Sequence, residues 1–213
     1  MASTDSRRRR WPWIVAGVVV LLLVPVAVLG VPILLHQNQG ASGQVDATEP
    51  WPLTVTGNGA DGRTRTFTVS GEDGAAVDTS ALTVGQHLVV RGSGFDGARG
   101  IYVAICVIPS DPSVKPGPCI GGVPEQTPTA VDAGTVQYAP SNWINDDWAW
   151  KLFGARSYDD IAKGTFTAYV EVGDPKGKDF DCRVDACGIF TRNDHTALSD
   201  RVQDLYVPVA FAG

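Results

Sequence analysis

DCRVDACGIF (residues 181–190) holds two cysteines, Cys182 and Cys187, five positions apart, and strand-forming residues follow the second. A pair at this spacing is a metal site, a redox couple or a staple that pins a turn. The compartment decides among them, because disulfides persist only where the surroundings are oxidising.

The N-terminus speaks to the compartment. Arg7, Arg8, Arg9 and Arg10 form a basic block, and an apolar run over residues 11–35 follows at once. From 13 to 35 no side chain is charged, a stretch of 23 residues. A helix of about 20 residues spans the roughly 30 Å hydrocarbon core. Pro25 and Pro32 interrupt the run, which lipid-embedded helices tolerate. Trp11 and Trp13 stand where an interfacial belt would be, and the arginines stay in the cytoplasm by the positive-inside rule. The sequence therefore predicts a basic cytoplasmic tail over 1–12, one transmembrane helix over 13–35, and a C-terminal domain outside the cell membrane. The apolar core exceeds the roughly 7–15 residues of a cleaved signal peptide, and no good small-x-small site follows it, so an uncleaved anchor is expected.

All four cysteines, Cys106, Cys119, Cys182 and Cys187, then lie in the exported part. Zinc would want C-x-x-C pairs or added histidines, and neither is present between them. Disulfides are the expectation. Four cysteines allow three connectivities, of which pairing sequence neighbours is the simplest.

The exported part reads as strands. Residues 36–50 are polar and rich in Gly and Gln, a flexible linker. Residues 53–56 and 63–70 alternate on either side of Asn-Gly and Asp-Gly turn signals, which predicts a β-hairpin extension over 51–75. Further short strands are expected over 76–78, 86–91, 100–107, 134–139, 149–153, 165–172, 188–191 and 205–211, with a single helical turn over 157–163. Short strands separated by Gly, Pro and Asp clusters predict an all-β antiparallel sandwich over 76–213.

Charge narrows the partners. The chain has 17 basic and 23 acidic residues; without Arg7–Arg10 and Asp5 the balance is 13 to 22, a net of about −9. An acidic exported domain argues against nucleic acid as a partner. Catalysis is hard to build. The only histidines are His36, His87 and His195, and Gly92-Ser93-Gly94 is not a G-x-S-x-G elbow. No enzyme, no cofactor and no metal are expected. Asn145, Asp146 and Asp147 lack the spaced calcium-loop pattern.

Two stretches are candidate ligand-binding sites. SNWINDDWAW (141–150) carries Trp143, Trp148 and Trp150. On a strand Trp148 and Trp150 would point the same way, either into a core or onto a sugar ring or apolar ligand. Arg192 and His195 stand in a polar cluster after Cys187, read either as a loop cross-linked by ion pairs or as a binding site.

Residues 76–211 resemble the neocarzinostatin-like, immunoglobulin-type sandwich of actinobacteria. LTVGQHLVVRGSGFDGARGIYVAIC (82–106) is similar to that family's opening, a strand ending in Gly-x-Gly-Phe and then a strand ending in a cysteine. The resemblance implies the pairs Cys106–Cys119 and Cys182–Cys187, an edge strand at the C-terminus, and an apolar ligand cleft near the disulfides. It covers roughly 135 of the 213 residues. RGIYVAICV (99–107), KPGPCIGG (115–122) and residues 187–211 also look like a module that accompanies haem-uptake and cell-wall surface proteins of actinobacteria. That likeness implies an envelope setting and no haem chemistry. The departures are the anchor and a long insertion between Pro124 and Gly164. The function expected is a membrane-anchored, non-catalytic binding module at the envelope. Its partner would be an envelope protein or glycan; the alternatives are a neocarzinostatin-type binder of a small apolar ligand and an envelope carbohydrate binder or hydrolase.

Overall fold

A computed structural model of the chain describes residues 5–121 and 136–212, with side chains from Trp11 onward. The chain forms two compact units, Met1–Gln37 and Asn38–Gly213.

The first unit is one helix, α1 (Asp5–Leu34), with Pro12, Pro25 and Pro32 inside it. Its segment Trp11–Leu34 has 24 residues and a mean hydropathy of 3.0, long and apolar enough to cross a membrane or to serve as a signal sequence. Val18, Leu21, Leu22 and Leu23 all face outward. A helix that is apolar all round has no polar side to turn toward water.

The second unit is a β-sandwich. One antiparallel sheet joins β1 (Thr54–Asn58), β2 (Thr64–Gly71), β3 (His87–Ser93) and β6 (Phe166–Glu171), in that order. The other has the order β5-β4-β7-β8, from β4 (Ile101–Val107), β5 (Ser141–Ile144), β7 (Cys187–Asn193) and β8 (Tyr206–Val209). The period-2 alternation sets the faces. Ile101, Val103 and Ile105 of β4 join Leu88 and Val90 of β3, Ile189 of β7 and Val207 of β8 in one core. Burying each such side chain contributes about 1.5–3 kcal/mol. Tyr102, Ala104 and Cys106 take the other face of β4.

Several expected elements differ. The segment 51–75 is not appended to the sandwich: β1 and β2 are half of its first sheet. Residues 76–78 form no strand. Over 149–153 there is a short helix, α2 (Trp148–Lys151), and not a strand. Asp147 caps it, its side chain accepting from the Ala149 N–H at 2.9 Å. Asp and Asn favour this position because they satisfy an orphan donor of the first turn. β5 was not anticipated; its SNWI text is too short to show a period. The strand expected over 134–139 begins outside the described residues, and Ala139 makes only an isolated bridge to Val170.

Part of the 36–50 segment is docked. The Val45 N–H donates to Thr56 O at 2.8 Å and the Asn58 N–H to Gly43 O at 3.0 Å, so it pairs with the open edge of β1. The Gln44 side chain turns the other way. Its Nε2 donates to Tyr206 O at 3.0 Å and its Oε1 accepts from the Tyr206 N–H at 2.7 Å. One primary amide thus pairs with the β8 edge as a peptide unit would, and residues 43–45 strap the two sheet edges together.

The loops fall at two poles. The turn 59–63 and the connections 94–100, 145–165 and 194–205 leave from the ends marked by the pairs Asn58↔Thr64, Ile101↔Asn193 and Ile101↔Ile144. The disulfides lie at the other pole, where Val107 pairs with Cys187. Both close as neighbour pairs, Cys106–Cys119 and Cys182–Cys187, and no described cysteine is free.

Candidate functional site

The outer face of the second sheet carries the functional candidates. β5 turns Trp143 outward, β4 Tyr102, β7 Phe190 and Arg192, and β8 Tyr206. His195 joins them from a 3-10 turn (His195–Ala197) just after β7. Asp194 caps that turn, accepting from the Thr196 N–H at 2.8 Å and the Thr196 hydroxyl at 2.6 Å.

Four of the five ligand-binding candidates meet here. The Trp143 and His195 rings lie 5.3 Å apart, and the Trp150 and His195 rings meet edge-on at 4.6 Å. Trp143 and Trp150 are 5.9 Å apart. The Tyr102 hydroxyl and His195 Nδ1 share a hydrogen bond of 3.1 Å. Burial, with help from the Asp194 charge, pushes the Tyr102 hydroxyl up to about 12. Arg192 places its guanidinium over the Tyr102 ring at 5.7 Å and donates to Pro116 O at 2.8 Å. It thereby ties the Pro-rich loop 108–118 to the sheet.

Trp148 does not join them. In a helix, residues two apart sit about 200° apart, so Trp148 and Trp150 cannot share a face. Trp150 packs inward and Trp148 is 71 % exposed. The expectation that both point the same way is corrected by α2.

The trio Asn145, Asp146 and Asp147 near α2 is engaged within the fold. Asn145 donates to Asp194 at 2.9 Å and accepts from the Asp147 N–H. Asp146 pairs with Lys151 and accepts from the Tyr158 N–H at 2.8 Å. Among the described residues no group of three or more His, Cys, Asp or Glu side chains is placed to hold a metal ion.

Beside the aromatic group lies a cleft of about 450 Å³. The loop residues Ile108, Pro109, Pro112 and Val114 form one wall, and residues 41–44 with Asp46 form the other. Phe190 and Tyr206 line it, their rings stacked at 4.7 Å with 25° between planes. Asp204 stands at its edge, 9 % exposed, with Oδ2 accepting from Arg201 at 2.6 Å. Burial outweighs that pairing and pushes the carboxyl up to about 6. Sequence reading missed the cleft residues. Its alternation marked Phe190 and Tyr206 as strand positions, but nothing local marks Gln44 or the loop as walls.

No family model and no curated protein matches the chain. Among solved structures it is similar to macromomycin, at 19 % identity and a TM-score of 0.35, over 68 % of this chain and 99 % of that one. The sandwich assignment rests on the strand order and register above. The likeness to the haem-uptake module receives no support from these comparisons.

Proposed function

We propose that the chain is a non-catalytic binding module. It is held outside the cytoplasm by its N-terminal span and takes a small, largely apolar ligand in the cleft between loop 108–116 and residues 41–46. The observation that carries this is the cleft itself. Its volume of about 450 Å³ falls in the roughly 300–1,000 Å³ range of small-molecule sites. Its lining sets prolines, aliphatics and two stacked aromatics beside the polar groups Ser42, Gln44, Asp46, Ser110 and Asp204. The disulfide Cys106–Cys119 braces the base of the proline wall. Arg192 holds the same loop at Pro116, which pre-forms the site and lowers the ordering cost of binding. Trp143, Trp150 and His195 brace the neighbouring surface and complete the binding face.

The test is the domain 38–213, purified from an oxidising compartment and examined by native mass spectrometry and absorption. An added mass or chromophore is the expected outcome. A fluorescent apolar probe, 1-anilinonaphthalene-8-sulfonate, should bind and should lose about tenfold in affinity on Val114→Asp. Val114 is 54 % exposed on the cleft wall, so the fold tolerates the change. A clean apo mass with no probe binding overturns the ligand and leaves an envelope protein or glycan as the partner.

A further inference from the structure

We propose that the pole of the sandwich carrying α2 is a lipid-binding face, and that Trp148, Leu152, Phe153 and Leu198 enter the interface of a zwitterionic bilayer. These side chains are 71 %, 75 %, 50 % and 57 % exposed. Single exposed apolar residues are common and need no explanation. Three features set these apart.

The first is presentation. Trp148 and Leu152 are four apart across α2 and its C-cap, so they share one flank. Trp150, on the opposite flank, is locked against Trp143 and His195. Asp147 caps the helix and Asp146 ties its Lys151. The apolar tip is held outward and does not collapse onto the domain.

The second is place. The chain enters the domain at this same pole. Ala41 bridges to Arg201 and accepts from the Ala60 N–H at 3.0 Å. Arg201 in turn donates to Leu198 O, and Leu198 follows the turn whose His195 touches Trp150. Only residues 35–37 separate the end of α1 from this domain. At about 3.5 Å per extended residue, that is roughly 10 Å of chain. This second feature, though not the other two, rests on α1 spanning a membrane, as proposed above. A spanned bilayer is then within reach of this pole by chain length alone, at high effective concentration.

The third is charge. Several basic residues of this pole are paired, Lys151 with Asp146, Lys163 with Asp160, and Arg63 with Asp61 and Asp96. Acidic residues outnumber basic ones at this pole, as they do in the domain as a whole. Anionic lipid gains nothing from such a surface, whereas Trp, Leu and Phe beside a Lys suit the headgroup boundary of a neutral membrane.

Residues 38–213 contain the whole two-sheet core and both disulfides, so this domain is tested alone. It is mixed with phosphatidylcholine vesicles and floated through a density gradient, with tryptophan emission followed in parallel. Co-flotation with a blue shift is expected. Trp148→Ala and Leu152→Asp should each lower partitioning at least about fivefold while the unfolding midpoint stays unchanged. No co-flotation, or co-flotation indifferent to both substitutions, overturns the proposal. A carbonate wash of membranes bearing the full chain reads the anchor separately. If the wash retains the full chain while the domain ignores vesicles, the lipid face fails and the anchor stands. If the wash releases the chain while the domain floats, the anchor fails and the lipid face stands.

Discussion

Asp194 Oδ2 accepts a hydrogen bond from Trp143 Nε1 at 2.9 Å, across 51 positions of sequence. The same oxygen accepts from Asn145 Nδ2 at 2.9 Å, while Oδ1 caps the turn bearing His195. Asp194 is fully buried. A single carboxylate therefore joins the tryptophan stretch to the polar cluster after β7. Gly100 lies so close that a Cβ there would stand 1.9 Å from Asp194 Oδ2, so the site also requires glycine.

Asp194→Ala should lower stability by roughly 3 kcal/mol, since hydrogen bonds to charged groups contribute about 1.5–3 kcal/mol each and neighbouring losses are not additive. Urea unfolding reads the loss. Trp143 emission should shift at the same time, because its N–H loses its partner. Wild-type stability in this variant would show that the carboxylate is not the junction.

Asp204 makes a pH prediction. Its carboxyl is raised to about 6 by burial, against about 3.9 in the unfolded chain. Between about pH 4 and pH 6 the native state keeps a proton that the unfolded state has lost. Stability should therefore fall as pH rises through that window, by about 2–3 kcal/mol. The Lys115 amine is lowered to about 8, by burial first and then by Arg192 and Arg201. Above pH 8 the unfolded chain holds the extra proton, so that contribution returns as pH rises toward about 10. Asp204→Asn should flatten the acid limb. Urea midpoints from pH 4 to pH 10 decide both signs, and an acid limb that persists in this variant assigns it elsewhere.

The two disulfides should contribute unequally. In the chain-entropy model the 13-residue separation of Cys106–Cys119 is worth about 3 kcal/mol, and the 5-residue separation of Cys182–Cys187 about 2 kcal/mol. Paired alanine substitutions measure each. Intact mass after alkylation without reductant should show no labelled thiol.

Gln44→Ala should leave the Tyr206 N–H and C=O without their amide partner, at a cost of about 1–2 kcal/mol. Hydrogen exchange at the Tyr206 amide should accelerate well before global unfolding. Exchange at the wild-type rate would mean that the strap does not hold β8.

Much of the architecture is legible in the text. The arginine block and the apolar run specify a long apolar helix because composition alone decides whether a helix tolerates lipid. TFTAYVE specifies β6 because alternating apolar residues leave a strand one stable orientation, whereas QHLVVR and GIYVAIC specify β3 and β4 as short, β-branched apolar runs. The cysteine spacing leaves three connectivities open, and the tertiary structure closes the neighbour pairs Cys106–Cys119 and Cys182–Cys187. WAWK is different. Four residues fit either period, and the Asp147 cap with the packing of Trp150 decides for a helix. The outer-face set of Tyr102, Trp143, Arg192 and His195, with Trp150 packed onto it, is decided only by tertiary structure. Strand order places β4 between β5 and β7, and a buried carboxylate bonds across 51 residues of chain. The cleft walls and the Gln44 strap follow the same rule. Hydrogen bonds between distant segments leave no period in the sequence, because each partner alone is an ordinary polar side chain.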